Sequence, residues 1–264
     1  MSRERLRATF DSAASLYQRA RPDYPAELYS DLRAITGIEP PAHLLEVGCG
    51  PGKATPPLAR AGFPITAVEL GGALAAEARR RLAAFPGVSV ITASFEEWEP
   101  PADVRFDLLY AATAWKWVDP TVKYAKAAAL LPSGGHLAVW DAQHAFPADF
   151  DPFFTEIQQV YDEMGEGDGS PWPPPAPEDQ PDSTAEEFEA SGHFTVVATR
   201  RYVWALRYTA EEYIALLDTF SGHIAMRPDR RDHLYREIRA RLAARPDGRL
   251  TRHWLAVLTV GRRR

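Results

Sequence analysis

A glycine-rich segment, LEVGCGPGKAT at 45–55, carries the clearest chemical signal in the sequence. Its glycines, in G-x-G-x-G spacing, permit backbone torsions and close ligand approaches that a Cβ would prevent. Glu69 follows 21 residues after Gly48, where a carboxylate can accept hydrogen bonds from the hydroxyls of a ribose. Lys53 stands where a dinucleotide fingerprint has its third glycine, and the loop lacks the Lys-Ser/Thr pair of a phosphate-binding loop. The pattern predicts a nucleoside site with little need for a pyrophosphate cradle.

Apolar runs that alternate with helical patterns predict the elements that hold these residues. Strands are predicted at 43–48, 64–70, 87–93, 105–112, 135–141, 193–206 and 252–261. Helices are predicted within 1–40, with a break at 21–25, and at 54–61, 72–84, 119–131, 150–164, 209–221 and 229–243. This alternation is typical of an α/β fold in which a largely parallel sheet carries helices on both faces. The carboxyl ends of parallel strands share one edge, where such sheets bind ligands.

Composition narrows the class of protein. The chain has 264 residues, 45% hydrophobic and 25% charged, as is usual for a soluble globular protein. A net charge of −6 argues against nucleic-acid and anionic-membrane partners, since both favour a basic face. A single cysteine excludes an intrachain disulfide and a multi-cysteine zinc site, and no spacing suggests another metal site. With no apolar run of the roughly 20 residues that span a bilayer, and no visible signal peptide, we expect a cytoplasmic protein.

The glycine loop, Glu69 and the segment FDLLYAATAWKWVD (106–119) together resemble class I S-adenosylmethionine-dependent methyltransferases. The opening FDSAASLYQRARPDYP (10–25) is similar to small-molecule methyltransferases of the trans-aconitate type. The resemblance covers most of the chain. It implies a Rossmann-like sheet of seven strands, mostly parallel with the last antiparallel, and S-adenosyl-L-methionine as the cofactor. It also implies a small organic methyl acceptor.

The same resemblance implies a set of cofactor-binding residues. Tyr17 and Arg21 would lie over the methionine end, Ser94 and Phe95 beside the adenine, and Ala111 and Trp115 beside the sulfonium. The full set is Tyr17, Arg21, Glu46, Gly48, Gly50, Gly52, Glu69, Leu70, Ser94, Phe95, Ala111 and Trp115. Structural alternatives stay open, because the glycines can form a bare turn, Glu69 can cap a helix, and Glu46 can cap its strand. Arg21 can also pair with the acidic surface.

Methyl transfer from a sulfonium is an in-line displacement, and it needs a base only when the acceptor must lose a proton. His144, near the end of the fifth strand, is the preferred candidate base. Asp141 could be the base instead, and His144 could be a loop histidine with no role in the reaction. Lys116 replaces a histidine that the trans-aconitate type often carries. As a base Lys116 would need a strongly depressed pKa; otherwise it faces solvent or an anionic acceptor. Trp115 and Trp117 would act as aromatic walls, because an aromatic face attracts a sulfonium.

Three regions are predicted along the chain. They are an N-terminal helical cap (1–40), a cofactor-binding core (41–141 and 193–264) and a lid for the substrate (142–192). The lid contains a stretch rich in proline, glycine and acids at 164–184. It also offers aromatic side chains for enclosing an acceptor: Phe146, Phe150, Phe153, Phe154, Tyr161 and Trp172. Packing of these rings on one another is the alternative.

The reaction has competing interpretations. The same cofactor can serve a cyclase or lyase that cleaves the aminobutyryl chain, or the chain can be a catalytically silent binder. An NAD-dependent dehydrogenase is disfavoured by Lys53. We expect a small-molecule acceptor as the partner, and a monomer or a homodimer.

Overall fold

A seven-stranded sheet forms the centre of the molecule. The computed structural model describes residues 20–102, 104–166 and 171–264. The strands are β1 (Leu44–Val47), β2 (Ile65–Glu69), β3 (Val88–Thr92), β4 (Leu108–Ala112), β5 (His136–Ala145), β6 (Phe194–Thr209) and β7 (Arg249–Arg263). Their order is β3-β2-β1-β4-β5-β7-β6, with β1 to β5 parallel and β7 antiparallel to both of its neighbours. The predicted Rossmann-like class, with its antiparallel last strand, is confirmed.

Helices cover both faces of this sheet. They are α1 (Ala26–Thr36), α2 (Thr55–Arg60), α3 (Gly72–Leu82), α4 (Lys123–Leu130), α5 (Phe153–Glu163), α6 (Ser183–Ala190), α7 (Ala210–Leu217), α8 (Ser221–Ala225) and α9 (Pro228–Ala243). Local sequence explains several helix ends. Gly37 ends α1 in a left-handed conformation, and Thr209 with Glu212 forms a capping box at the start of α7. The helix expected over 209–221 ends at Leu217, and a separate short helix, α8, follows from Ser221.

Apolar side chains pack into layers on the two sides of the sheet. Leu45, Leu109 and Leu137 pack with α4 and α6 on one side, whereas Leu44, Leu108 and Trp140 pack with α1 and α2 on the other. A third cluster joins α5, α7 and α9 to the end of β7 at Trp254. This third cluster stands beyond the carboxyl end of β5, and two of its partly buried members, Ala142 and Phe220, reach the edge at which ligands bind.

Two local differences from the sequence predictions bear on the site. β5 is longer than expected and runs to Ala145, because its last residues pair with β7 as far as His253. The predicted lid segment thus begins inside a strand, and Phe188 of α6 packs in the sheet core. Trp115–Trp117 forms one turn of 3-10 helix after β4, instead of continuing the strand.

Candidate functional site

A cavity of about 620 Å³ opens at the carboxyl ends of β1, β2, β4 and β5. Its volume lies in the range of small-molecule sites. The glycine loop and the start of α3 form one side, and the end of β5 with Phe220 and Arg252 forms the other. The predicted site residues that line it are Arg21, Glu46, Gly48, Gly50, Glu69, Leu70, Phe95, Lys116 and His144.

The glycine loop after β1 requires glycine for two different reasons. Gly48 and Gly50 both have positive φ, 68° and 55°, which side chains rarely adopt. A Cβ on Gly48 would lie 2.5 Å from the Cβ of Ala114, so the loop packs directly against the turn after β4. A Cβ on Gly50 would meet nothing within 4 Å, because it would enter the cavity. The space at Gly50 is therefore open to a ligand.

Glu69, at the end of β2, holds this loop in place. One carboxylate oxygen accepts from the Gly50 amide and the other from the Gly71 amide, both at 2.8 Å. Glu69 lines the cavity, so its carboxylate is placed to accept hydroxyl hydrogen bonds from a ribose.

Glu46, on β1, is an acid buried beneath the loop. Its Oε2 accepts from the Thr55 hydroxyl at 2.7 Å and from the Tyr110 hydroxyl at 2.8 Å. Its Oε1 is buried and has no hydrogen-bond partner among the described residues. Burial raises the pKa of Glu46 to about 7, and the two hydroxyl hydrogen bonds oppose that rise. A buried, unpartnered carboxylate oxygen on a cavity wall suits a cationic group such as an ammonium.

The turn after β4 contains a strained residue. Thr113 has φ 58°, unusual for a β-branched side chain. Its hydroxyl is hydrogen-bonded to the Tyr24 hydroxyl at 2.7 Å and accepts from the Ala142 amide at 3.3 Å. Thr113 and Tyr24 both line the cavity, and neither was selected by the sequence analysis. The sequence feature that could have identified Thr113 is its position directly after an apolar strand, at the edge where ligands bind.

Residues that precede α1, among them Arg21, also line the cavity. Arg21 donates to the Thr219 hydroxyl at 2.7 Å, and its guanidinium lies 3.9 Å from the centroid of the Phe220 ring. Lys53, at the foot of the glycine loop, pairs with Asp23 at 2.9 Å. Burial lowers the pKa of Lys53, and the bond to Asp23 opposes this. Tyr17 lies outside the described residues.

The catalytic candidates lie on the side of β4 and β5. Lys116 pairs with Asp141 at 3.3 Å, and both side chains are about half exposed, 54% and 42%. The His144 ring packs 4.0 Å from the centroid of Phe146, and its buried Nε2 has no hydrogen-bond partner among the described residues. Burial, then Arg252 and His253, lower the pKa of His144 far below its ordinary value. His144 is therefore a neutral imidazole and a weak base.

Arg252, on β7, is a cavity residue that the sequence analysis missed. It is 4% exposed and shares a strand face with Trp254 and Ala256, which are also buried. A signal was available: in RHWLAVL (252–258) an arginine takes the first position of an alternating apolar face.

Four of the predicted cofactor residues do not line the cavity. Gly52, Ser94, Ala111 and Trp115 are not among the lining residues. Trp115 is 3% exposed and packs between Phe95 and Tyr124, because the 3-10 turn directs it into the core. Trp117 lines the cavity in its place.

The aromatic residues of 142–192 pack on one another and not around the cavity. The Phe146 ring lies edge-on to Phe150, Phe154 and Trp172, and Phe153 lies edge-on to Tyr213 of α7. The Tyr161 hydroxyl is hydrogen-bonded to His223 at 2.7 Å. None of the six aromatic candidates is a lining residue. A lid role for this segment stays a prediction.

Comparison with known proteins agrees with this geometry. Residues 45–139 match the family model described as a methyltransferase domain. An uncharacterized methyltransferase of Mycobacterium tuberculosis strain H37Rv is 34% identical over 145 residues, 54% of this chain and 56% of the relative. A trans-aconitate 2-methyltransferase of Rhodopseudomonas palustris is 34% identical over 113 residues, 41% of this chain and 42% of the relative. The matches thus span about half the length of these relatives.

Solved structures extend the likeness over most of the fold. A chain from Anaeromyxobacter dehalogenans, described as a candidate type II methyltransferase, has a TM-score of 0.61 at 25% identity. That match covers 92% of this chain and 97% of the other. A methyltransferase from Thiobacillus denitrificans, solved with S-adenosyl-L-homocysteine, has a TM-score of 0.51 at 16% identity and covers 97% of both chains. It shows the shared fold alone.

The fold and the loop define a nucleoside-binding protein of Rossmann-like architecture. With the methyltransferase domain matched over 45–139, they support assigning the chain to the class I S-adenosylmethionine-dependent methyltransferases. The residues present fit the cofactor of that class. Glu69 faces the place of a ribose, Gly50 leaves room above the loop, and the unpartnered Oε1 of Glu46 suits the α-ammonium. No helix in the described ranges is long and apolar enough to cross a membrane. Those ranges also contain no group of three or more histidine, cysteine or acidic residues that could hold a metal.

Proposed function

We propose that the protein transfers a methyl group from S-adenosyl-L-methionine to a small organic acceptor by in-line displacement. One observation carries the proposal: a single cavity extends from the glycine loop and Glu69, past the turn after β4, to His144 and Arg252. A cofactor at the loop and an acceptor at the end of β5 would meet at Thr113 and Ala114. The proposal includes a cytoplasmic setting. It also includes an acceptor that is not a nucleic acid, because the net charge of −6 disfavours binding to nucleic acid.

The cofactor supplies an electrophilic methyl group with a good leaving group, so the chain contributes mainly position and exclusion of water. Glu69 accepts the ribose hydroxyls and Glu46 accepts the α-ammonium. Gly48 packs against Ala114, which fixes the loop relative to the turn beside the reacting methyl. The Tyr24–Thr113 hydrogen bond closes the cavity from the side of α1. The third apolar cluster packs behind His144 and Phe220, which line the outer side of the cavity.

His144 and Lys116 are the candidate catalytic groups, and their different surroundings indicate different roles. The lowered pKa of His144 makes it a poor proton acceptor. We therefore assign His144 to orienting the acceptor through its unpartnered Nε2, and infer that the acceptor atom enters already deprotonated or needs no proton removal. Lys116 is paired with Asp141 at the cavity mouth, so its role is to attract an anionic acceptor.

The test is a product analysis. The purified protein is incubated with S-adenosyl-L-methionine and a panel of organic acids, phenols and amines that includes trans-aconitate. We expect S-adenosyl-L-homocysteine to form only with an acceptor of the panel. Methylthioadenosine formed without an acceptor would favour a cyclase or lyase, and binding without turnover across the panel would favour a silent binder. Tight NADH binding would contradict the cofactor assignment.

A further inference from the structure

Arg252 is a buried cation that has no anionic partner in the part of the chain that the structure describes. Its side chain is almost fully buried on β7, yet no carboxylate lies within ion-pair distance of it among the described residues. Its Nε is buried without a hydrogen-bond partner there. The guanidinium stacks 4.4 Å from the centroid of Trp254 and 5.5 Å from that of Phe220. Because an arginine stays charged at neutral pH, this arrangement leaves a positive charge at the cavity wall.

The groups around Arg252 do not neutralise it. The Tyr213 and Tyr208 hydroxyls interact with the guanidinium but carry no charge at neutral pH. Arg21, which stacks on the same Phe220 ring, adds a like charge. His144 is also close, because Arg252 is one of the charged groups that lower the pKa of His144. Isolated charges are costly to bury, so this cluster favours the arrival of an anion.

The strand order places this cluster away from the glycine loop. β7 is separated from β1 by β4 and β5, and neighbouring strands lie about 4.8 Å apart, so the two strands are about 14 Å apart. Arg252 pairs with β6 and faces the end of β5, beside His144. The cofactor end of the cavity already has Glu46 and Glu69. The Arg252 end is therefore on the acceptor side.

We propose that Arg252 is the anchor for a carboxylate on the methyl acceptor. Arg252 lines the cavity, and its planar guanidinium presents N–H donors in a fork that matches the two oxygens of a carboxylate. The indole of Trp254 and the ring of Phe220 hold that fork in position. The assignment rests on the proposed methyl transfer and narrows its substrate class to organic acids.

The experiment measures acid binding to the protein saturated with S-adenosyl-L-homocysteine. Calorimetric titrations use matched pairs of the same shape: benzoate and benzamide, cinnamate and cinnamamide, succinate and succinamide. We expect at least one acid to bind the wild-type protein about tenfold more tightly than its amide. Arg252→Gln should abolish that preference, and Arg252→Lys, which keeps the charge but not the fork, should restore part of it. Acids that bind no better than their amides in every pair would overturn the assignment.

A matched control separates a binding role from a structural one. Arg245 is a partly buried arginine, 25% exposed, that pairs with Asp151 at 2.6 Å. Arg245→Gln should lower the melting temperature and leave acid binding unchanged. Arg252→Gln should leave the melting temperature unchanged or raise it, because it removes an unpaired buried charge. A lower melting temperature for Arg252→Gln, with acid binding retained, would make Arg252 structural and would overturn the proposal.

The outcome for the cofactor distinguishes the two proposals. Arg252→Gln should bind S-adenosyl-L-homocysteine as the wild-type protein does. A loss of about tenfold in that affinity would mean that Arg252 holds the cofactor's own carboxylate, and the acceptor assignment would fail while methyl transfer stood. Absence of S-adenosyl-L-homocysteine binding in the wild-type protein would instead refute the proposed function.

Discussion

The two ends of the cavity differ in charge and in how their charged groups are satisfied. At the glycine loop, Glu69 is hydrogen-bonded to two backbone amides and Glu46 to two hydroxyls. At the end of β5, Arg252 and His144 have buried nitrogens without partners among the described residues. The first end is acidic and prearranged, whereas the second is cationic and incomplete.

The contrast explains how one cavity can hold two ligands of opposite charge. A sulfonium and an α-ammonium favour the carboxylates at the loop, and an organic acid favours the guanidinium groups of Arg252 and Arg21. The attraction between the bound cation and the bound anion would bring them together at the turn after β4. Each end can therefore be changed separately, and the effects should remain separate.

The largest expected effect is on the acidic end. Glu69→Ala removes the ribose acceptor and releases the Gly50 and Gly71 amides. Charge-assisted hydrogen bonds contribute about 1.5–3 kcal/mol each, so we expect S-adenosyl-L-homocysteine affinity to fall about 100-fold by calorimetry. The melting temperature should fall slightly, because the loop loses its support. Unchanged cofactor affinity would contradict the site assignment.

A smaller effect tests whether the cofactor occupies the open space beside Gly50. Gly50→Ala adds a Cβ that meets no protein atom but enters the cavity, and we expect cofactor affinity to fall about 30-fold. Gly37→Ala is the matched control, since Gly37 has φ 66° and also has nothing within 4 Å of a Cβ. Both variants should lose about 1 kcal/mol of unfolding free energy. Equal cofactor affinity in the two variants would place the ligand elsewhere.

The pKa of Glu46 predicts a pH dependence of about tenfold. Glu46 must be ionised to bind the α-ammonium of the cofactor. Because its pKa is raised to about 7, Glu46 must lose a proton when the cofactor binds at pH 6, whereas it is already ionised at pH 8. Affinity for S-adenosyl-L-homocysteine should therefore rise about tenfold from pH 6 to pH 8. Stability should change in the opposite sense: the contribution of protonated Glu46 is complete below the ordinary carboxyl range and is lost as pH rises through about 7. Glu46→Gln should flatten both profiles, and a flat wild-type profile would refute the assignment.

The smallest effect concerns the cavity mouth. Lys116 and Asp141 form an exposed pair, worth at most about 1 kcal/mol. We expect Lys116→Gln to raise the KM for an acidic acceptor about threefold, with kcat and cofactor affinity unchanged. Asp141→Asn should lower that KM, because it releases the lysine charge. A loss of kcat by more than about 100-fold in Lys116→Gln would show that Lys116 is the base.

The sequence predicted the parts of the molecule that local patterns specify. All seven strands and the glycine loop followed from apolar runs and turn residues, because backbone preferences and burial act over a few positions. Glu69 was found because the spacing from the loop is set by one helix and one strand.

The parts that depend on long-range contacts were not predictable. Trp115 and Trp117 are two residues apart, and only the 3-10 turn decides that Trp115 enters the core while Trp117 faces the cavity. The aromatic residues of 142–192 were predicted either to enclose an acceptor or to pack on one another, and their packing with α7 and α9 depends on contacts that are distant in the sequence. Arg252 lies more than 100 residues from every other part of the cavity wall except Phe220 and its neighbours, so only the fold brings it to His144.

The division of the cavity is tested most directly by one set of equilibrium titrations with S-adenosyl-L-homocysteine. Wild-type protein, Glu69→Ala and Arg252→Gln are measured side by side at pH 8. The account predicts that Glu69→Ala loses about 100-fold in affinity, whereas Arg252→Gln binds as the wild-type protein does. An equal loss in both variants would contradict it, because the two ends of the cavity would then serve one ligand.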